Sequence, residues 1–99
     1  MHEYYKIKNA LIPVFEAAGV SEVTEELQPD VFGSAYSEFE GKQGKFRVIW
    51  DGKDGWGLVQ KQTKSGWEDL PNFVKKSETG DFDKNLNALV AAVEALLNR

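Results

Sequence analysis

Close to the C-terminus, Phe82, Leu86, Leu89, Val90, Val93, Leu96 and Leu97 recur at the intervals i, i+4, i+7, i+8, i+11, i+14 and i+15. On a helix of 3.6 residues per turn these side chains form one apolar stripe. Such a stripe has to be covered, so the chain must supply a second apolar layer. Asp81, or Thr79 ahead of Gly80, is placed to cap the helix. Asp83 falls in its positive first turn and Arg99 at its negative end.

The second layer is expected in the middle of the chain. Phe32 to Glu40, Lys45 to Asp51 and Trp56 to Gln62 are rich in aromatic and β-branched residues and are separated by glycine-bearing turns, the pattern of an antiparallel meander. With Gly41-Lys42-Gln43-Gly44 as the first turn, Glu40 faces Lys45, Phe39 faces Phe46, Glu38 faces Arg47 and Ser37 faces Val48. Opposite charges meet and phenylalanine meets phenylalanine, and a slip of one residue would send each side chain to the wrong face. Phe39, Phe46, Val48 and Trp50 should then be buried, while Glu38, Glu40, Lys45 and Arg47 face water. Trp67 to Pro71 offers one more short strand. Ser21 to Gln28, with three glutamates around Val23 and Leu27, reads as an edge strand or an irregular arm.

Ahead of this region Tyr4, Ile7, Leu11, Val14, Phe15 and Ala18 keep helical spacing up to Gly19. Pro13 interrupts them. A proline inside a helix removes one hydrogen bond and crowds the carbonyl four residues back, so a kink, or a helix starting near Ile12, is expected. The sum is an α+β fold in one domain over residues 1–99: an N-terminal helix, an antiparallel sheet of three or four strands in meander order, and a C-terminal helix packed on one sheet face.

Composition narrows the function classes. At 99 residues, 41% apolar and 28% charged, the chain suits one core, whose folding buries roughly two-thirds of the unfolded surface. The absence of cysteine removes disulfides, thiolate ligands and a cysteine nucleophile, and points to the cytoplasm. Met1 to Lys6 lacks the pattern of an export signal, and no apolar run approaches the roughly 18 residues that read as a membrane span. The net charge of −4 is concentrated in residues 1–30, where Lys6 and Lys8 stand against Glu3, Glu16, Glu22, Glu25, Glu26 and Asp30. That balance suits a basic partner and disfavours nucleic acid.

Candidate chemistry is sparse. His2, the one histidine, lies beside the first residue, so no His-dependent acid–base pair is expected, and no metal or cofactor. Asp51-Gly52-Lys53-Asp54-Gly55 reads as a hairpin turn, because Lys53 puts a cation between the acids where a calcium loop needs alternating oxygen ligands. The glycines of this region lie between strands, whereas a phosphate cradle leads from a strand onto a helix N-terminus. Lys61, Lys64, Lys75 and Lys76 are read as solvated. The order helix, three strands, helix resembles double-stranded RNA-binding domains in topology alone, since Asp81-Phe82-Asp83 stand where those domains carry a basic cluster.

Two surfaces remain. Glu22, Glu25, Glu26 and Asp30, gathered beside an expected sheet edge, favour a non-enzymatic protein-binding domain, of an inhibitor or immunity-like kind, that meets its partner through an acidic surface. Tyr36, Trp56 and Trp67 offer the alternative of a small-ligand or carbohydrate module. A small enzyme using carboxylates, such as Glu25 with Glu26 or Asp81 with Asp83, is a third reading, although adjacent strand residues point to opposite faces. An open sheet edge also admits a homodimer.

Overall fold

The computed structural model describes residues 2–76 and 81–98. Among them α1 (His2–Ala17) leads into the strands β1 (Ser21–Gln28), β2 (Ser34–Gly41), β3 (Gly44–Asp51), β4 (Trp56–Thr63), β5 (Gly66–Asp69) and β6 (Val74–Lys75), followed by α2 (Phe82–Leu97). The sheet is antiparallel, in the order β1-β2-β3-β4-β5, with β6 beside β4 next to β5's segment. The α+β architecture is the expected one, with more strands than three or four. Trp67 to Asp69 pair with Gln60 to Gln62, and Val74-Lys75 pair with Trp56-Gly57.

The central hairpin has the register read from its charges: Glu40 opposes Lys45, Phe39 opposes Phe46, Glu38 opposes Arg47 and Ser37 opposes Val48. Gly41 and Gly44 also pair, so the turn tightens to Lys42-Gln43. Gly44 has a φ of 123°, a conformation that L side chains rarely adopt. Ser21 to Gln28 form a full edge strand against β2 rather than an arm, with a bulge at Val23.

The inward side chains of the sheet are Ala35, Ser37 and Phe39 on β2, Phe46, Val48 and Trp50 on β3, and Val59 on β4, all buried. Both helices lie on this face, and they divide it. Phe15 of α1 stacks on Phe39 at 4.5 Å between ring centroids and tilts against Phe46 at 5.4 Å. The C-terminal helix packs on the sheet as expected, most closely against β6 and against α1, and its Leu86, Leu89, Val93 and Leu97 join the same core as these aromatics. Tyr4, Ile7, Leu11 and Phe15 are fully buried along α1. That helix is continuous from His2 and holds Pro13 inside it, on its exposed side. Close approach of α1 to the sheet requires Gly57, where an added Cβ would lie 2.7 Å from Ile7 Cδ1 and 3.1 Å from Trp50 Cε3.

Asp81 occupies the N-cap position of α2 without a side-chain capping bond, and its carbonyl accepts the Asn85 N–H at 2.9 Å. The alternative cap at Thr79 and Gly80, the side chain of His2, and Arg99 lie outside the described residues.

Candidate functional site

Because both helices cover one face, the other face of the sheet is left bare among the described residues. Strand alternation sets what it carries. One row across the strands reads Glu26, Tyr36, Ile49, Leu58, and the next reads Thr24, Glu38, Arg47, Gln60, Asp69. Asp51, Trp56 and Lys75 make a third row at the end that holds the β1–β2 and β3–β4 turns, and Trp67 faces Gln62 at the opposite end.

Tyr36, Trp56 and Trp67, taken from sequence as a ligand-binding group, therefore share this face, while Trp50 belongs to the core. They do not form one platform. The Arg47 guanidinium lies 4.1 Å from the Trp67 ring centroid and 5.2 Å from that of Tyr36. Its Nη2 and Nε donate to Glu38 Oε2 at 2.6 and 3.1 Å. A planar cation held by a carboxylate and two aromatic rings is stiff, and the Arg47 side chain is only 26% exposed. The Tyr36 hydroxyl donates to Glu26 Oε2 at 2.6 Å, and this bond to a carboxylate pushes the phenol up from its ordinary value.

Trp56 belongs to a separate cleft. With Leu58 and Phe73 as apolar walls and Asp54 and Lys75 beside them, it encloses about 450 Å³. Leu58 is only 8% exposed although it points away from the helices, whereas Phe73 is 54% exposed. A second cleft of about 280 Å³ lies between the two turns, lined by Val31, Tyr36, Ile49 and Lys53 among others. The apolar tip Val31-Phe32 projects at this end. Phe32 is 70% exposed with a φ of 56°, a left-handed conformation costly for a bulky side chain. Gly52 holds it there, since an added Cβ would come within 1.9 Å of the Phe32 carbonyl oxygen. The Ser34 hydroxyl accepts the Gly52 N–H at 2.9 Å, and the Asp51 carboxylate accepts the N–H groups of Lys53 and Asp54 at 3.0 Å, closing the turn.

The four acids taken from sequence as a contact surface are divided between faces. Glu22 and Glu25 point to the helix side and grip Lys8 of α1, each at 2.5 Å. The bulge at Val23 brings them together, because without the extra residue two positions three apart would face opposite ways. Tyr4 donates to Glu25 Oε2 at 2.8 Å and receives a hydrogen bond from the buried Ser37 hydroxyl. Desolvation pushes the Tyr4 phenol well up, aided by Glu25. Burial alone would lower the Lys8 ammonium, but its bonds to Glu22 and Glu25 outweigh this and hold it above its ordinary value. Bonds from Lys8 and Tyr4 hold the Glu25 carboxyl down. Each shift favours the form already present at neutral pH, the opposite of what a general base or nucleophile needs.

Glu26 alone of the four stands on the bare face, and Asp30 sits in the β1–β2 turn. Glu25 and Glu26 thus diverge, and Asp83 pairs with Lys6 at 2.6 Å. Among the described residues no group of three or more His, Asp or Glu side chains is placed to hold a metal ion, and no helix is long and apolar enough to cross a membrane. No family model matches the chain, and neither a curated protein nor a solved structure matches it.

Proposed function

We propose that the chain is a non-enzymatic protein-binding domain whose contact surface is the bare face of the sheet, with Glu26 at its rim. The observation that carries this reading is the concentration of Tyr36, Arg47, Trp56 and Trp67 on the sheet face that, among the described residues, no helix covers. Tyr, Trp and Arg supply most of the energy in protein interfaces, because they bury large area while losing little side-chain freedom. Arg47, already fixed by Glu38, Tyr36 and Trp67, would lose less still on binding. Ile49, Leu58 and Phe73 supply the apolar centre, and Glu26, Asp54 and Lys75 the polar rim. An inhibitor or immunity-like role, in which the domain occludes a partner's working surface, fits this arrangement.

The test compares the purified wild-type chain with Trp67→Ala and Ile49→Glu. A partner captured from the native cell extract is identified, purified and titrated against each by calorimetry. Affinity should fall by about tenfold or more for either variant, the loss of one hot-spot side chain. Unchanged affinity for both would remove the reading. The cleft between Trp56, Leu58 and Phe73 favours a second reading, a small apolar or carbohydrate ligand. A shift of tryptophan fluorescence on adding the ligand, abolished by Trp56→Phe, would support it, and a flat response across a broad library would end it.

A further inference from the structure

The described residues leave a second surface at the rim of the sheet. β1 is the terminal strand, paired on one side with β2 and on the other with nothing among the described residues. From Thr24 to Gln28 its ladder to β2 is regular, so the far edge presents an unbroken row of backbone donors and acceptors. By contrast, β5 at the other end of the sheet order has only four residues. The β1 edge is also held in place. Lys8 ties Glu22 and Glu25 to α1, and Tyr4 adds a bond to Glu25.

We propose that this edge accepts an extended segment of a second, basic protein as an added strand. The side chains of β1 specify the pattern of that segment. Thr24, Glu26 and Gln28 point to the bare face, where a lysine or arginine beside Glu26 would meet an opposite charge. Glu25 and Leu27 point to the helix side. Glu25 is spent on Lys8, while Leu27 is 39% exposed, so an apolar residue belongs there. The segment therefore places a cationic residue beside Glu26 and an apolar one beside Leu27, on opposite faces of the added strand. A second copy of the chain is the poorer occupant. Antiparallel self-pairing over the regular stretch, centred on Glu26, would set the two Glu26 carboxylates directly opposite each other on the bare face. The bulge at Val23 further shortens the flat stretch available to a self-pair.

This site shares Glu26 with the rim of the bare-face contact but rests on the backbone edge of β1, which Trp67→Ala and Ile49→Glu leave untouched, so either reading can fail alone. The probes are a short labelled peptide alternating lysine and valine, the same peptide N-methylated at every second residue, and a glutamate–valine counterpart, each titrated by fluorescence anisotropy. The proposal expects the lysine–valine peptide to bind, and N-methylation to weaken it by about tenfold or more, because hydrogen bonds along one edge are lost. The glutamate–valine peptide should not bind. Glu26→Lys should weaken the lysine–valine peptide by about tenfold, whereas Glu68→Lys, the same charge change on β5, should leave it within about twofold. Equal binding of the methylated peptide, equal effects of the two charge changes, no binding at all, or a dimer in sedimentation that the peptide cannot dissociate would each overturn it. The methylation arm uses the unmodified chain, so it decides the matter even if a variant fails to fold.

Discussion

The two faces of the sheet are made of the same strands, yet they follow different rules. Toward the helices the centre of the sheet is filled by apolar side chains and the hydrogen-bonded Ser37, and Phe39, Phe46, Val48, Trp50 and Val59 are sealed from water. Away from the helices the strands carry large side chains too, but Tyr36, Ile49, Trp56 and Trp67 stay partly exposed and are interleaved with charge. Residues one apart on a strand are thus under opposite demands. The inward face has to fill volume, and the outward face has only to avoid sticking to the wrong surface.

The sharpest way to break this comparison is a pair of neighbours on β3. Val48→Asp would bury an unpaired carboxylate where exposure is now zero, at a cost of several kcal/mol, and the cooperative thermal transition should be lost. Leu89→Asp or Val93→Asp on α2 should do the same. Ile49→Asp places the same group on the half-exposed side and should stay folded, losing about 1 kcal/mol by urea titration. Next in size is Gly57→Ala, whose Cβ has no room between Ile7 and Trp50. A loss of about 1–3 kcal/mol is expected, with α1 displaced.

The polar clamp under α1 sharpens the comparison further. Lys8→Met should cost about 1–2 kcal/mol, below the value for a fully buried pair, because Glu22 and Glu25 are each about one-third exposed. Its pH dependence has a definite sign. Glu25 is held below the ordinary glutamate value of 4.5, so its contribution is complete above that pH and is lost as pH falls through the lowered value. Tyr4 and Lys8 are raised above their ordinary 10.0 and 10.5, so theirs is complete below about pH 10 and is lost as pH climbs through the raised values. Glu25→Gln should therefore flatten the acid limb of a stability–pH curve. An unchanged limb would mean that the clamp contributes nothing. The smallest effect is expected at the tip: Phe32→Gly removes a left-handed phenylalanine that is 70% exposed, and its melting temperature should equal or exceed that of the wild type.

How much of this was legible beforehand depended on the range over which each signal acts. The β2–β3 register could be read from residues 37 to 48 because a tight turn and four matched pairs act locally. The α2 stripe was equally plain, but which aromatics it covers was not, since two amphipathic helices compete for one sheet face and periodicity names a face without naming its partner. β5 was visible as the short strand offered at Trp67 to Pro71, whereas β6, of two residues, is too short to show alternation. The division of the acidic cluster between faces was hidden for a sharper reason. One extra residue at Val23 changes the phase of β1, turning Glu22 and Glu25 together toward Lys8 and leaving Glu26 alone on the outside. The grouping of Arg47 with Trp67, twenty residues later in the chain, came only with the pairing of β3 to β4 and β4 to β5.

The division of the sheet into a sealed face and an open one can be measured directly, because the chain has no native cysteine. Single cysteines at Val48 and at Ile49 would report on adjacent residues that point opposite ways. Under native conditions the thiol at 49 should react with a soluble maleimide at nearly the rate of a free peptide, while the thiol at 48 should react only through unfolding, about a thousandfold more slowly or less. Equal rates at the two positions, or faster labelling at 48, would contradict the account.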